Sequence, residues 1–472
     1  MFNKLIQILL ALLLIFTPVA FGSVELWAFS LMELGILTIL LLGTVQFLMR
    51  KNQGSPELYS LRNHQFAIPI AFLGFFLLLV LLQIPPLPSG LLKIISPKTY
   101  ALRQEFSFVD IQSAIRNPQS PISFVPFATQ VEFFKWFTLI AFFLFLLKWK
   151  PLDRIKGSLI LIVMFVGIVE SLYGMVEFFS AHRHILHLEA FSIVSAVTGT
   201  FVNRNYFAGY LLMVIPLGVG YIFYREFSHG GRTLTWRRRL SSIDGKTYFL
   251  VFGVIVMTLG LLFTASRMGI ISLLLSFSLV ALLFRNPQSG QRFSKTPVLI
   301  LGLALLWAAW IGLDAVIDRF LDVSDNFEIR WEMWANTFQI IKDFPLFGSG
   351  LGTFTYVFPP YRSIHLEGIA SHAENDFLQL VSEVGVIGAG VLLVPFLLLL
   401  PRAFAGIRNL SFEDPKRYIG IGAMVGILGL MFHSIVERNI QVPANAFLFT
   451  FLLAIILRIG SIGRKDKMES AS

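Results

Sequence analysis

The chain has 472 residues, of which 56% are hydrophobic and 14% charged, with a mean hydropathy of +0.73. A soluble protein carries about a quarter charged residues, so this composition excludes an ordinary soluble enzyme and points to a polytopic membrane protein, its 48 Phe suited to lipid-facing helices. With no Cys there are no disulfides, no thiolate catalysis and no Cys-ligated metal; the net charge of +10 poses the question of which side of a membrane the Lys and Arg occupy, and no nucleic-acid partner is inferred from it.

A spanning helix needs roughly 20 mostly apolar residues. Twelve stretches qualify, at about 5–22, 26–49, 66–84, 131–148, 157–179, 205–224, 247–265, 267–284, 297–313, 385–404, 418–436 and 445–460. The expected fold is therefore an all-α polytopic membrane protein of about twelve transmembrane helices. The first stretch ends in Ala20-Phe21-Gly22-Ser23 like a signal peptide, but a second hydrophobic stretch follows at once and favours an uncleaved anchor. Twelve spans put both termini on one side. With the N-terminus in the cytoplasm, most of the 38 Lys and Arg fall on cytoplasmic pieces, including the Arg237-Arg238-Arg239 run, as the positive-inside bias requires. The chain then divides into N-terminal helices 1–190 with an outer loop at 85–130, a core at 191–460 with a large outer loop at 314–384 between the ninth and tenth spans, and a cytoplasmic tail at 461–472.

Three outer regions follow from this layout. Residues 85–130 open on Pro85-Pro86-Leu87-Pro88 and carry no nameable motif. Residues 180–204 hold His182, His184 and His187, a spacing compatible with metal ligation but without the acids that would complete a set. Residues 314–384 hold the most chemistry. Asp325 followed by Glu328 resembles a capping box and predicts a helix to about Lys342, with Trp331, Trp334, Phe338 and Ile341 on one face and Arg330 beside it. Arg330 has two open readings: a pairing with Asp325, Glu328 or Glu332, or a contact to phosphate. The following Gly348-Ser349-Gly350-Leu351-Gly352 is either a plain turn or an anion-binding nest of backbone N–H groups. The loop closes on a polar stretch in which a helix beginning at His372 would put His372, Asp376, Gln379 and Glu383 on one face. Such a stripe is costly at a membrane unless it faces water, protein or substrate.

Two further arginines sit at outer ends of spans. Arg267 lies in a near-loopless turn at Ser266-Arg267-Met268-Gly269, and Arg204 lies in Asn203-Arg204-Asn205. Arginines there bind phosphate oxygens through a planar fork. The short cytoplasmic loops hold no nucleotide-binding motif, so chemistry on the outer face needs a donor other than ATP. A lipid-diphosphate sugar is such a donor. Fixed arginines stabilise its leaving group, and a neutral base activates the acceptor hydroxyl, His372 first and Glu374 as the alternative. Direct attack inverts the anomeric carbon.

At these residues the chain resembles the O-antigen ligase and polymerase family of bacterial envelope glycosyltransferases. The resemblance runs from Thr198 to Thr450 through Gly199-Thr200-Phe201 to Asn205, Ser266-Arg267, Arg330 before Pro345-Leu346-Phe347-Gly348-Ser349-Gly350, then His372, Asn375 and Gly385-Val386-Ile387-Gly388, and finally His433 to Pro443. It implies an inner-membrane bundle whose large periplasmic loop forms the active site. The implied activity is metal-independent, cofactor-free transfer of a glycan from undecaprenyl diphosphate, to lipid A–core in ligases or to another lipid-linked repeat unit in polymerases. Some relatives glycosylate pilin. By position His372 matches the family's loop histidine, and Arg267 and Arg330 its essential arginines. Near Arg204 the family pattern is defined at the asparagines, here Asn205, and Asn375, Gly348 and Gly350 fall on supporting positions. The competing class is a lipid-linked glycan flippase or other transporter, which would carry its charges inside the bundle, where Glu33, Glu170, Glu177 and His433 lie.

Overall fold

The computed structural model describes residues 2–52, 66–107, 119–180, 184–186, 188–189, 196–228, 244–285, 294–312, 324–363 and 370–469. His182, His187, the Arg237-Arg238-Arg239 run and residues 313–323 and 364–369 of the large loop lie outside them, as do the side chains of His184 and Asp325. The described chain is all-α apart from two short antiparallel pairs, Leu87–Pro88 with Gln119–Ser120 and His184–Ile185 with Leu188–Glu189.

The apolar helices are α1 (Phe2–Val19), α2 (Leu26–Asn52) and α3 (Ala67–Leu82), then, after short α4 (Ser89–Ile95) and α5 (Pro97–Ser107), α6 (Pro126–Lys148) and α7 (Leu152–Phe179). They continue with α8 (Arg204–Ser228), α9 (Gly245–Phe263), α10 (Arg267–Leu283) and α11 (Lys295–Ile311). Past α12 (Ser324–Asp343) and α13 (Phe354–Val357) come α14 (Asp376–Asn409), α15 (Pro415–His433) and α16 (Pro443–Glu469). A helix falls on each of the twelve predicted stretches. By length and composition eight of the described helices can cross a membrane, while α3, α10 and α11 are apolar but shorter.

The centre of the bundle is α8, buried along its length, with α15 laid against it. Small residues permit the approach. A Cβ at Gly422 would sit 2.5 Å from the Pro216 carbonyl and one at Gly426 2.7 Å from that of Met213, so the two backbones nearly touch, as helices in lipid do when packing replaces the hydrophobic drive. Helices α1, α2 and α6 leave most of their apolar surface outward. Because α3 packs on α14 and α6 on α16, residues before and after 190 share one core.

One end of the bundle carries the loop elements. There Met333, Ile340, Phe344, Phe354, Val357, Phe358 and Ala373 form a satellite core separate from the main one. The 85–130 segment is fastened to it: Lys98 pairs with Asp343 at 3.0 Å, and Arg103 donates to the Ser123 carbonyl at 2.9 Å.

Three local expectations need correction. Helix α12 begins at Ser324, so Asp325 lies inside it. Its inward stripe is Met333, Thr337, Ile340 and Phe344, while Trp331 and Phe338 of the aromatic face are 61% and 50% exposed; apolar periodicity identified the helix but could not tell which of two apolar stripes faces protein. The polar stretch is not helical from His372. Helix α14 starts at Asp376, capped by the Asn375 side chain, because Asn375 accepts from the Phe377 and Leu378 N–H groups at 3.0 Å each.

Helix α14 breaks at Gly385, with φ 68° and ψ 178°. A Cβ there would collide with the Leu346 carbonyl, and one at Gly348 (φ 70°) with the Glu383 carbonyl. The two glycines interlock the helix break with the loop after α12. Gly385→Ala is therefore expected to lower the thermal midpoint in detergent markedly, the backbone strain alone costing about 1–3 kcal/mol. Gly74→Ala, which meets nothing within 4 Å, should leave it nearly unchanged. Equal midpoints for the two variants, read by scanning fluorimetry, would refute the interlock.

Candidate active site

The polar row that opens α14 is real from Asp376 onward, and it faces protein. Asp376, Gln379 and Glu383 are only 5%, 4% and 2% exposed. The Glu383 carboxylate accepts from the Gly352 N–H at 2.9 Å, the Phe354 N–H at 3.3 Å and the Gln379 amide at 3.0 Å. Its backbone carbonyl, left open by the helix break, accepts from the Gly350 N–H at 3.0 Å. Gln83, at the end of α3, joins in by donating to the Phe347 carbonyl at 2.7 Å and accepting from the Leu351 N–H at 3.0 Å. Asp376 clamps the turn between α15 and α16, accepting from the Asn439 and Ile440 N–H groups at 2.7 Å each while its own N–H donates to the Ser434 carbonyl at 3.1 Å.

That turn, residues 434–442, is the hub of the site. Arg330 reaches it from α12, donating to the Val436 carbonyl at 2.7 Å and pairing with Glu437 at 2.5 Å. Among the described side chains the partner of Arg330 is thus a residue 107 positions downstream rather than Glu328 or Glu332, while the side chain of Asp325 lies outside them. Burial pushes the Glu437 carboxyl up to about 7, with the Arg330 guanidinium pulling against it and Asn205 hydrogen-bonding to it. Fully buried His433 sits beneath, its Nδ1 3.2 Å from the Asn439 amide and its Nε2 3.3 Å from Ser266 Oγ. Since the amide donates, the ring carries its proton on Nε2 and donates to Ser266. Ser266 caps α10, whose first residue is Arg267. Arg267 is half-buried and engaged by neighbours at this same end of the bundle.

Arg438 does not pair with Glu437. Its guanidinium meets His372 Nε2 and lies over the Tyr206 ring, 5.9 Å from the centroid. Because a guanidinium only donates, His372 Nε2 is the acceptor and the neutral ring carries its proton on Nδ1; the Gln379 amide nitrogen, 3.5 Å from Nδ1, has its two protons directed to Glu383 and Gln441. Burial first, and then the Arg438 charge, push the His372 imidazole down to about 2, so it is uncharged at physiological pH. His372 is held in place by its neighbour Ala373, which is buried in the satellite core and donates its N–H to Gln379 Oε1 at 3.1 Å. Lys135 of α6 adds a buried cation, paired with Glu132 at 2.5 Å. Below it lies an apolar cavity of about 500 Å³ between α6, α14 and α16, with Lys135, Asp376 and Gln441 at its polar end.

The residues singled out by sequence thus gather at one end of the bundle. His372, Arg330, Asn205 and Asn375 join the hydrogen-bonded network, and Arg204 opens α8 beside Asn205. Glu374 takes a left-handed backbone (φ 50°) before the cap, and its charge is felt by Tyr206 and Glu437. Gly348 and Gly350 do not form an open anion nest. The Gly348 N–H donates to Phe344, that of Ser349 to Ser382 and that of Gly350 to Glu383, leaving no converging donors for a phosphate. Gln83, Lys135 and Arg438 were undervalued by sequence reading. Arg438 stands next to an acid that belongs to Arg330, and Lys135 falls near the start of the 131–148 stretch.

Residues 252–393 match the family model described as O-antigen ligase. The match supports assigning the chain to the O-antigen ligase and polymerase family, and with it a bacterial integral membrane protein of surface-polysaccharide synthesis. That family carries out ligase- or polymerase-type glycan transfer and implies lipid-linked glycan substrates within a bilayer. No curated protein matches the chain significantly.

The low basicity of His372 has a consequence for stability. An unfolded imidazole takes up its proton near pH 6.5, whereas the folded one does so only near 2, so the unfolded state binds more protons between those values and stability falls as the pH falls through that window. Between pH 6.5 and 5 this is worth up to about 2 kcal/mol. His372→Gln should lose less thermal stability over that step than the wild type. Equal losses would mean that the imidazole titrates freely.

Proposed function

We propose that the protein transfers a glycan from an undecaprenyl-diphosphate donor to an acceptor hydroxyl at the periplasmic face of the inner membrane, inverting the anomeric carbon, in the manner of an O-antigen ligase or polymerase. The observation that supports this best is one cluster: a neutral histidine, His372, facing the guanidinium of Arg438, with Arg330 and Arg267 at the same end of the bundle and an apolar cavity beside it.

Each part has a chemical task. The acceptor hydroxyl has a high pKa and needs a base as it attacks; His372 is uncharged and so has a lone pair to offer, but burial and the Arg438 charge depress its basicity while that guanidinium stays in contact. Negative charge grows on the diphosphate as the glycosidic bond breaks. Arginines in a site of low dielectric stabilise it, Arg330 from α12, Arg267 from α10 and Arg438 from a turn pinned by Asp376 and Glu437. Apolar walls beside the cluster suit a polyprenyl chain. Of the acids that would favour a transporter, Glu170 is structurally committed, accepting from the Thr200 N–H at 2.7 Å and its hydroxyl at 2.9 Å, while Glu33 and Glu177 each keep one buried carboxylate oxygen without a hydrogen-bond partner among the described residues.

The test uses full-length protein in nanodiscs with an undecaprenyl-diphosphate oligosaccharide and two acceptors offered separately, lipid A–core and further lipid-linked units. Product on lipid A–core identifies a ligase and a ladder of longer lipid-linked chains a polymerase. His372→Ala should lower transfer by about 10²–10⁴-fold and Arg267→Ala by about 10²-fold or more. Undiminished transfer in both variants would keep the enzyme and reject the site. No transfer to either acceptor would reject the function.

A further inference from the structure

Arg438 differs from Arg330 and Lys135. Arg330 is held by Glu437 and Lys135 by Glu132, but among the described residues no carboxylate lies within ion-pair distance of Arg438. Its Nε is buried and finds no hydrogen-bond partner. Its backbone is clamped on both sides, by Arg330 at Val436 and Glu437 and by Asp376 at Asn439 and Ile440, so only the side chain can swing. In the resting arrangement that side chain occupies His372 Nε2, the one lone pair the neutral ring offers. A base covered in this way cannot accept a proton.

We propose that Arg438 is a catalytic residue that masks the base until the donor arrives: the donor's diphosphate oxygens draw its guanidinium off His372, which frees Nε2 for the acceptor. This rests on the donor reading above. The unpaired guanidinium is a forked donor, and diphosphate is a stronger acceptor for it than a neutral imidazole. The acceptor oxygen then attacks the anomeric carbon and its proton passes to His372 Nε2. The electron pair of the breaking glycosidic bond stays on the diphosphate oxygen beside Arg438, and the imidazolium afterwards releases its proton to water. Until the donor is bound no base is available, so neither water nor acceptor is activated prematurely.

Diethyl pyrocarbonate acylates an imidazole only through a free lone pair, and so at His372 reads the masking without requiring turnover. Full-length protein in nanodiscs is treated with and without undecaprenyl diphosphate, and modification is followed for His372 by mass spectrometry, with fully buried His433 as the internal negative. In the wild type, the lipid should speed modification of His372 by roughly tenfold or more, the change expected when a charge-assisted contact is released. In Arg438→Met, His372 should react fast with or without lipid. Arg438→Lys, which keeps the charge but loses the fork, should bind the lipid yet leave His372 reactive in its absence. The wild-type comparison needs no variant to fold. Bound lipid, detected by native mass spectrometry, with unchanged or slowed His372 modification overturns this proposal alone. A wild type that binds no undecaprenyl diphosphate overturns the donor reading and this proposal together.

Discussion

A carboxylate taken out of water is tolerated only if its lone pairs are filled, and Glu383 meets that requirement with backbone N–H groups from a loop some thirty residues away. The rest of the site depends on this. Glu383 needs donors, the loop after α12 supplies them, and the break at Gly385 frees a carbonyl to hold the loop in return. The same logic repeats about two turns earlier on the helix, where Asp376 gathers the N–H groups of the turn carrying Glu437, Arg438 and Asn439. Two buried acids on one short helical segment therefore fix the position of both loops that hold the chemistry. Catalytic geometry of this kind needs supporting contacts as much as reacting groups.

Much of this was legible in the chain. Apolar stretches locate the helices because spanning length and hydropathy are local properties. The row Asp376, Gln379, Glu383 follows from helical period alone, and His372 from its place beside that row. Partners distant in sequence were not legible. Nothing local links Arg330 to Glu437, or Arg438 to His372. Charge adjacency alone would suggest a Glu437–Arg438 pair, but in the fold Glu437 turns to Arg330 on α12 and Arg438 to His372 in the loop before α14. The alternating glycines carried the composition of an anion nest, and only the three-dimensional count of donors shows those N–H groups already in use.

The pairing pattern also changes how substitutions in such a site are to be interpreted. Removing Arg330 leaves Glu437 buried without its partner, a defect that can cost about 3–5 kcal/mol whether or not Arg330 ever touches substrate. Loss of activity there mixes structure with chemistry. Arg438, whose described contacts are a neutral ring and an aromatic face, separates the two more cleanly.

Helix α16 packs against α14, α6, α15, α8 and α1, and its Arg458 donates to Asp153 at the start of α7, 3.1 Å from Nε to the carboxylate. It is made after every helix it touches. The groove it fills must therefore stay open in the bilayer, with Phe142 exposed until Phe447 stacks on it, while translation proceeds. Closure of this bundle waits for a helix made after all those it packs against, so a ribosome that stalls before Pro443 would leave an inserted but unclosed protein, a natural substrate for membrane quality control.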